Sequence, residues 1–345
     1  MGAHGARTRG RGTVIARRGA VLLGTPVDDV TLDEAIDLIA SMIEIGRRTG
    51  RVHQIATVNI DFVVNAFNDE ELRSIMQRSD LSIPDGMGIV WGGNALGTPI
   101  RERSAGADLV PALAARAARE GWRLCLFGGP PGVADRAADV LRASSPGVDV
   151  VVVEAPMVAA DGSMDAAVVD ALRAVRADVI GVALGNPKQE RWVARYGHAV
   201  GAPVSIGIGG TLDFITGATT RAPAWMQRSG LEWIHRALSE PRRLMRRYAH
   251  DVRVFAPRLA VQMWIGRTRR GRGDVLVVPA SVSEDADTIV DLGALRRLDN
   301  RAVATIVSTV RAWRLDGRTA RVTGASPRIV ADADRLHARE LIAPE

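Results

Sequence analysis

The feature that most constrains this fold is an alternation of helical and extended patterns that runs from Val21 to Gly217. The segment 31–48 opens with Thr31 as an N-cap and repeats apolar residues at helical spacing, whereas 123–129 is a short apolar run that ends in glycines. Strands that alternate with helices pair in parallel and are covered on both faces. The alternation therefore predicts an α/β fold with a mostly parallel, Rossmann-like sheet covered by helices.

The individual segments follow from the same periodicities. Strands are predicted at 52–59, 123–129, 148–155, 177–185 and 202–210. Helices are predicted at 31–48, 69–80, 107–121, 132–144, 164–175 and 187–197. The glycine-rich stretch 81–93 is predicted to be a loop. Together these segments define an α/β domain at 21–218.

Composition narrows the class of protein. The chain has 345 residues, of which 47% are hydrophobic and 24% charged, and this is ordinary for a globular protein. Cys125 is the single cysteine, which excludes an internal disulfide and a cysteine-cluster metal site. No apolar run is long enough for a transmembrane helix. Residues 1–20 carry five arginines and no acidic residue, so we expect a disordered lead and a protein on the cytoplasmic side.

Residues 219–272, the basic segment, differ from the rest of the chain in charge. Thirteen arginines and three acidic residues give this segment a net charge of +10, against +6 for the whole chain. Trp225, Trp233 and Trp264 are interleaved with the arginines. Arginine forks bind phosphate, and basic segments with tryptophan suit an anionic bilayer surface, although a solvated basic helix is the alternative. We predict a helical appendage here.

A small separate α/β unit is predicted at 273–345, because the pattern changes again beyond Gly273. Strands are expected at 274–280, 287–295 and 319–325, and an amphipathic helix is expected at 301–317.

Three predicted strands end in turns that open helices. In chain order, the turns carry Gly128, Gly129 and Gly132, then Asn186, Lys188 and Gln189, then Gly209, Gly210 and Asp213. A strand, a glycine turn and a helix N-terminus bind phosphate through backbone N–H groups and the helix dipole. Asn186 can cap its helix, and Lys188 and Gln189 would point out at the carboxyl edge of the sheet. Plain tight turns, a solvated lysine and a first-turn aspartate are the structural alternatives.

Polar side chains also follow the first predicted strand. Thr57 and Asn59 lie where a buried strand would be apolar, and Asp85 lies in a tight loop between a proline and a glycine. A carboxylate held by a rigid turn suits a general base, although Asx turns explain such residues as well. G-x-S-x-G and HExxH are absent from the sequence, and Asp-x-Asp occurs only beyond residue 284, so neither a Ser-His-Asp triad nor a catalytic metal is expected.

An ordered series of motifs between residues 21 and 265 resembles the WecG/TagA/CpsF glycosyltransferases, glycosyltransferase family 26. The motifs are TVNIDFV (57–63), IPDGMGIVW (83–91), RSAGADLV (103–110), LFGGPPGVADRAADVL (126–141), GNPKQERW (185–192), GIGGTLDFITGATTRAPAWMQRSGLEWIHRALSEPRR (207–243) and RRY (246–248). The long block at 207–243 is the most specific of them.

This resemblance implies an inverting hexosyltransferase. It would move N-acetylmannosamine or a related hexose from a UDP-sugar to an undecaprenyl-diphosphate-linked saccharide, in cell-surface polysaccharide or teichoic-acid-type assembly. Asp85 matches the general base and Asp213 a residue near the nucleotide, and no cofactor is expected. The other implied active-site residues are Thr57, Asn59, Arg103 and Gln189. The arginines implied to bind the leaving UDP and the lipid-linked diphosphate are Arg236, Arg243, Arg246 and Arg247.

The resemblance also sets expectations for location and for the tail. The family's appendage is tied to membrane association, so we expect a peripheral protein on the inner face of the cell membrane. The tail at 273–345 resembles a STAS domain, but Asn300 and Arg301 follow Asp299 where such domains often carry a phosphorylatable serine. The hypothesis for the tail is docking or assembly with a protein partner rather than a phospho-switch.

Two other functions remain as alternatives. The first is a UDP-sugar-binding regulatory protein that acts through its STAS-like tail. The second is a nucleic-acid-binding module built on the basic segment, which the ordered α/β motifs disfavour, so no nucleic-acid partner is expected. The segment 151–162 lacks the aromatic glycine-rich run expected in the family, and this leaves the identity of the sugar open.

Overall fold

The computed structural model describes most of the chain. The described residues are 18–155, 158–219, 221–223, 226, 231–239, 241–268, 288–293, 295–315 and 320–342. The predicted lead up to residue 17, the predicted strand 274–280 and the last three arginines of the basic segment lie outside them.

The described strands fall into three sheets. They are β1 (Gly19–Leu22), β2 (Thr25–Asp28), β3 (His53–Val58), β4 (Leu81–Pro84), β5 (Arg123–Gly128), β6 (Asp149–Val153), β7 (Val179–Ala183), β8 (Val204–Gly207), β9 (Thr288–Asp291) and β10 (Ala320–Thr323). Six of them form one sheet in the spatial order β4, β3, β8, β7, β5, β6, and all adjacent pairs in it are parallel. The predicted parallel α/β sheet is confirmed.

Helices cover both faces of this sheet. In the first two thirds of the chain they are α1 (Leu32–Thr49), α2 (Ile60–Asn68), α3 (Glu70–Arg78), α4 (Met87–Ala95), α5 (Gly106–Glu120), α6 (Val133–Ser144), α7 (Ala166–Val175), α8 (Lys188–Val200) and α9 (Thr211–Ile215). Successive strand residues point to opposite faces. Leu124 and Leu126 therefore join the core under α1, α5 and α6, whereas Cys125 and Phe127 pack with α7 and α8.

The prediction of a loop at 81–93 is wrong, because this stretch forms β4 and α4. Leu81 and Ile83 are fully buried in the sheet. The glycines of α4 serve close packing rather than chain flexibility: a Cβ on Gly88 would come within 2.2 Å of Ile60 Cδ1, and one on Gly93 within 2.8 Å of Ile100 Cγ1. The loop prediction failed because it took these glycines as turn signals, whereas they allow α4 to pack closely on its neighbours.

Two elements near the N-terminus were not predicted. β1 and β2 form an antiparallel hairpin that starts at Gly19, so the disordered lead cannot extend to residue 20 as expected. Ala20 is buried in this hairpin, which explains the order. The predicted N-cap of α1 is confirmed: the Thr31 hydroxyl accepts from Glu34 N at 3.2 Å, and the Glu34 carboxylate accepts from Thr31 N at 2.9 Å.

Five helices and the third sheet are described in the C-terminal third of the chain. The helices are α10 (Glu232–Ser239), α11 (Pro241–Thr268), α12 (Asn300–Leu315), α13 (Pro327–Arg335) and α14 (Arg339–Ile342). β9, β10 and α12 lie within segments predicted as strands and as a helix, and the two strands pair in parallel. The core of this unit includes Val21 of β1 and Ile265 of α11, so the unit packs directly on the rest of the protein.

A buried ion pair joins this C-terminal unit to the hairpin. Arg311 of α12 donates to Asp28 Oδ2 at 2.8 Å, and both side chains are almost fully buried. The same carboxylate oxygen accepts from the backbone N–H of Ser82 in β4 at 2.7 Å. Arg311 and Asp28 thus link the C-terminal unit to β4, the strand that precedes Asp85.

Candidate active site

The candidate site lies at the carboxyl edge of the six-stranded sheet. In a parallel sheet the strand ends share one edge, and ligands of α/β proteins bind there. Asp85 follows β4, Asn59 follows β3, and the three predicted turns follow β5, β7 and β8. The sheet order places the end of β8 between the polar residues of β3 and the turn after β7.

The three turns meet around one cavity of about 330 Å³. Five residues predicted from the sequence line it, namely Gly129, Lys188, Gly209, Gly210 and Asp213. The other lining residues are Pro130, Ala155, Val158, Ala183, Leu184, Gly185 and Leu212. The cavity is therefore lined by glycine turns and apolar side chains together with one ammonium group and one carboxylate.

Gly128, Gly132 and Asn186 support the cavity without lining it. A Cβ on Gly128 would come within 3.0 Å of Ala183 O, and the next N–H, that of Gly129, donates to that oxygen at 2.9 Å. Gly132 is the N-cap of α6 and has a positive φ of 68°. Lys188 at the start of α8 donates to Val158 O at 3.0 Å, so the ammonium group is held at the edge of the cavity.

Asp85 occupies a rigid position on the other side of β8. Its N–H donates to Val58 O at 2.8 Å, which extends the pairing of β3 and β4 by one residue. Gly86 follows with a φ of 109°, a value that favours glycine, and α4 starts immediately after it. The half-buried side chain thus projects from a turn fixed on both sides.

Charged residues of the basic segment and α5 surround this turn. Arg103 forms an ion pair with Glu232 of α10, and the two Nη atoms of Arg221 contact both carboxylate oxygens of Asp108 at 2.6 and 3.0 Å. The bond to Asp108 raises the pKa of Arg221, and the negative charge of Asp85 adds to the effect. Arg221 and Glu232 were not singled out from the sequence, because the resemblance pointed to other arginines of this segment and to no acidic residue in it.

Thr57 and Asn59 have defined structural partners. Thr57 is buried and donates from Oγ1 to Gly207 O at 2.8 Å, which fixes the end of β8 against β3. Asn59 is the N-cap of α2 and accepts from Phe62 N at 3.2 Å. Their polarity at the end of β3 therefore has a local explanation.

The expected orientations of Asn186 and Gln189 are wrong. Asn186 does not cap α8, because the helix starts at Lys188 with Pro187 as its N-cap residue. Its Nδ2 donates to Glu190 Oε2 at 2.9 Å instead. Gln189 does not point out to solvent but is fully buried, where its Oε1 accepts from Gly209 N at 3.1 Å.

Glu190 is the functional candidate that the sequence did not reveal. Its carboxylate accepts from Gln189 Nε2 at 2.8 Å as well as from Asn186, and burial raises its pKa to about 7. Asp61 of α2 adds to this rise through charge repulsion. The only sequence signal was its position beside Gln189 in a strand-to-helix turn.

Of the four arginines implied to bind the diphosphates, two have described side chains. Arg247 is half-buried and lies near Asp61 and Asp251, where it opposes the rise that burial causes in both pKa values. Arg246 is exposed on α11, and neither side chain lines the cavity. The side chains of Arg236 and Arg243 are outside the described part of the structure.

Apolar side chains are exposed on α10 and α11. They are Trp233, Leu238, Met245, Val252, Val261 and Trp264. Among the described helices, none is both long enough and apolar enough to cross a bilayer. Within the described residues no group of three His, Cys, Asp or Glu side chains could hold a metal ion. The metal-independent mechanism stays a prediction.

Comparison with known proteins identifies one matching family and relatives that share a name. The sequence model of one family, described as "Glycosyl transferase WecG/TagA/CpsF family", matches residues 20–270. Two curated relatives, from Bacillus spizizenii (strain ATCC 23059 / NRRL B-14472 / W23) and Bacillus subtilis (strain 168), are 29% and 30% identical over 194 residues, which is 56% of this chain and 73% of each relative. Both are named N-acetylglucosaminyldiphosphoundecaprenol N-acetyl-beta-D-mannosaminyltransferase.

Proposed function

Because the chain belongs to the WecG/TagA/CpsF family of glycosyl transferases, we propose that it transfers N-acetylmannosamine or a related hexose from a UDP-sugar to a saccharide linked to undecaprenyl diphosphate. The names of the two relatives support this acceptor class and this sugar. The observation that carries the proposal is the meeting of three glycine turns around one cavity, with Asp85 held at the end of β4, two strands from β8 along the same edge of the sheet. We expect the protein to act at the inner face of the cell membrane.

The cavity suits the diphosphate of a nucleotide sugar. Backbone N–H groups of glycine turns and the N-terminus of α8 stabilise phosphate charge, and Lys188 adds a cation at the rim. Asp213, which also lines the cavity, would accept hydrogen bonds from ribose or base. The departing UDP would be stabilised by these groups without a metal ion.

Asp85 would act as the general base. Its carboxylate would take the proton of the acceptor hydroxyl while that oxygen forms a bond to the anomeric carbon and the bond to the UDP oxygen breaks. Attack from the face opposite to the leaving UDP inverts the anomeric centre. The arginines of α10 and α11, including Arg236, Arg243, Arg246 and Arg247, would hold the lipid-linked diphosphate or the leaving UDP.

The substitution Asp85→Asn tests this mechanism. We expect a loss of kcat of about 100-fold or more, because general-base catalysis contributes at least that much, while the affinity for UDP stays unchanged. Transfer of radiolabelled sugar to a synthetic lipid-linked acceptor measures kcat, and calorimetry measures UDP binding. Asp33→Asn, on the exposed first turn of α1, is the matched control.

Three outcomes would contradict parts of the proposal. Full activity of Asp85→Asn removes Asp85 as the base. Loss of wild-type turnover on addition of a chelator contradicts the metal-independent mechanism. Binding of UDP by the wild type without transfer to any lipid-linked acceptor would favour the regulatory alternative.

A further inference from the structure

A chain of hydrogen bonds, partly to fully buried, joins two of the turns that line the candidate donor cavity. Asn65 Nδ2 donates to Asn186 Oδ1 at 2.7 Å, and Asn186 Nδ2 donates to Glu190 Oε2 at 2.9 Å. From the other side, Gly209 N donates to Gln189 Oε1 at 3.1 Å, and Gln189 Nε2 donates to Glu190 Oε1 at 2.8 Å. Both branches end on the two oxygens of Glu190, and we call these residues the amide chain.

We propose that Glu190 is a positioning residue of the donor site, whose carboxylate fixes the two amides and thereby the turns that follow β7 and β8. Asn186 belongs to the first of these turns, and Gly209 belongs to the second. Both turns contribute lining residues to the cavity, namely Gly185 and Lys188 from one and Gly209 and Gly210 from the other. The catalytic consequence of this inference rests on the proposed function.

Only a group with two acceptor oxygens satisfies the amide chain. Each neighbouring amide already uses its oxygen, one for Asn65 and the other for the Gly209 N–H, so both must turn an NH2 group toward residue 190. A glutamine at 190 would present one oxygen and one NH2 group. One NH2 would then face another, and a buried donor without an acceptor is costly.

The end of β8 packs closely on the amide chain. A Cβ on Gly207 would lie 2.5 Å from Gln189 Nε2 and 2.9 Å from Glu190 Oε1, so the glycine lets the end of β8 approach the chain. Thr57 holds the Gly207 carbonyl from the opposite side. Glu190 lies fully inside the protein and its pKa is raised to about 7, which means that burying its charge is costly. A costly buried charge beside a candidate site favours a functional role over a purely stabilising one.

The substitution Glu190→Gln tests the role with the smallest change of shape. We expect UDP affinity and KM for the UDP-sugar to worsen by about 10- to 100-fold, because one buried hydrogen bond is replaced by a donor without a partner. The change in kcat should be smaller, since Asp85 and its turn lie on β4, away from the amide chain. Glu44→Gln, on the exposed side of α1, is the control.

Transposing the two side chains in Gln189→Glu/Glu190→Gln provides the rescue. The carboxylate, now at position 189, would accept from Gly209 N and from the amide at position 190, whose oxygen would then accept from Asn186. Every donor again has an acceptor, and the total charge and composition are unchanged. We expect this variant to recover most of the UDP affinity that the single variant loses.

A readout without ligand separates this inference from the proposed function. Hydrogen exchange of the Gly209 amide should be slow in the wild type, fast in Glu190→Gln and slow again in the transposed variant. Wild-type affinity and slow exchange in Glu190→Gln would overturn the inference, as would a folded transposed variant that behaves like the single one. Absence of UDP binding by the wild type, with the exchange pattern intact, would contradict only the proposed donor.

Discussion

Asp85 and Glu190 show how two carboxylates of one protein acquire different properties from their surroundings. Asp85 is half-buried on a turn between β4 and α4, where it can meet a substrate hydroxyl. Glu190 is fully buried and is committed to two amides. A general base needs access to the reacting atom, whereas a positioning group needs fixed partners. The two environments therefore support separate roles in the proposed reaction.

The buried charge of Glu190 predicts a pH dependence of stability. Its pKa rises from 4.5 to about 7 on folding, so the folded state binds the proton more tightly than the unfolded state. The contribution of Glu190 is therefore most favourable below pH 4.5 and is lost as the pH rises toward 7, by about 3 kcal/mol in total. Thermal unfolding of the wild type and of Glu190→Gln between pH 4.5 and 8 measures it.

Between pH 4.5 and 8, the free energy of unfolding should fall less in Glu190→Gln than in the wild type. Asp251, whose pKa burial raises to about 6, contributes with the same sign in both proteins and cancels in the comparison. Parallel stability curves for the two proteins would contradict the assignment of this pH dependence to Glu190.

The sequence indicated correctly which turn residues lie at the sheet edge, but it did not indicate in which direction Gln189 points. Lys188, Gly209 and Asp213 lie at the cavity because strand ends in a parallel sheet share one edge. The direction of Gln189 depends on where α8 begins, since each residue turns a helix by about 100°. The helix starts at Lys188 rather than at Pro187 as predicted, and the sequence could not decide between these two starts.

At the scale of elements, α10 and α11 combine positive charge with exposed apolar side chains. Trp264 is 67% exposed and Trp233 47% exposed, although both are large aromatic residues. Tryptophan prefers the interface of a bilayer, and arginine is attracted to its anionic headgroups. This pair of properties supports the proposed peripheral attachment through the two helices.

The substitution Trp264→Ser tests that attachment. We expect affinity for vesicles that contain phosphatidylglycerol to fall roughly tenfold, because burial of an indole in the interface is lost. Sedimentation of the protein with the vesicles measures the affinity. Trp91→Ser is the matched control, since Trp91 is 49% exposed but lies on α4 outside the basic segment. Equal loss in both variants would contradict a specific role for α11.

Helix α2 shows why some elements could not be predicted. The segment from Ile60 to Asn68 is apolar on more than one side, because it packs against both α3 and α11. Its polar residues Asp61, Asn65 and Asn68 recur at helical spacing, but nine residues give this pattern only about two turns. The packing partner α11 lies almost two hundred residues later in the chain, and no local pattern reports it.

At the scale of the whole molecule, a buried ion pair holds the C-terminal unit against the hairpin and β4. The Arg311–Asp28 pair is buried, and Arg311 also donates to Met76 O and to the hydroxyls of Ser79 and Ser82 at 3.0 to 3.1 Å. Such a pair is strongly destabilising when one partner is removed, since the other charge stays buried. The unit is therefore fixed on the hairpin and on β4.

The substitution Arg311→Met should lower the free energy of unfolding by about 3–5 kcal/mol, because Asp28 keeps its charge without the guanidinium. Urea unfolding followed by circular dichroism measures the loss. Arg301→Ala, which removes an exposed hydrogen bond to Gly97 O, should change stability by less than about 0.5 kcal/mol. A small effect of Arg311→Met would show that the interface is held by apolar packing alone.

The contact between Asp28 and Arg311 joins residues 283 positions apart, and it has a consequence for biosynthesis. At about 5–20 residues per second, the ribosome completes α12 about 15 to 60 s after it has released the hairpin. During that interval Val21 and the Asp28 carboxylate have no cover from α12, and the nascent protein exposes apolar surface of the hairpin. Chaperones that protect exposed apolar surface should therefore determine how much of this protein reaches its native state.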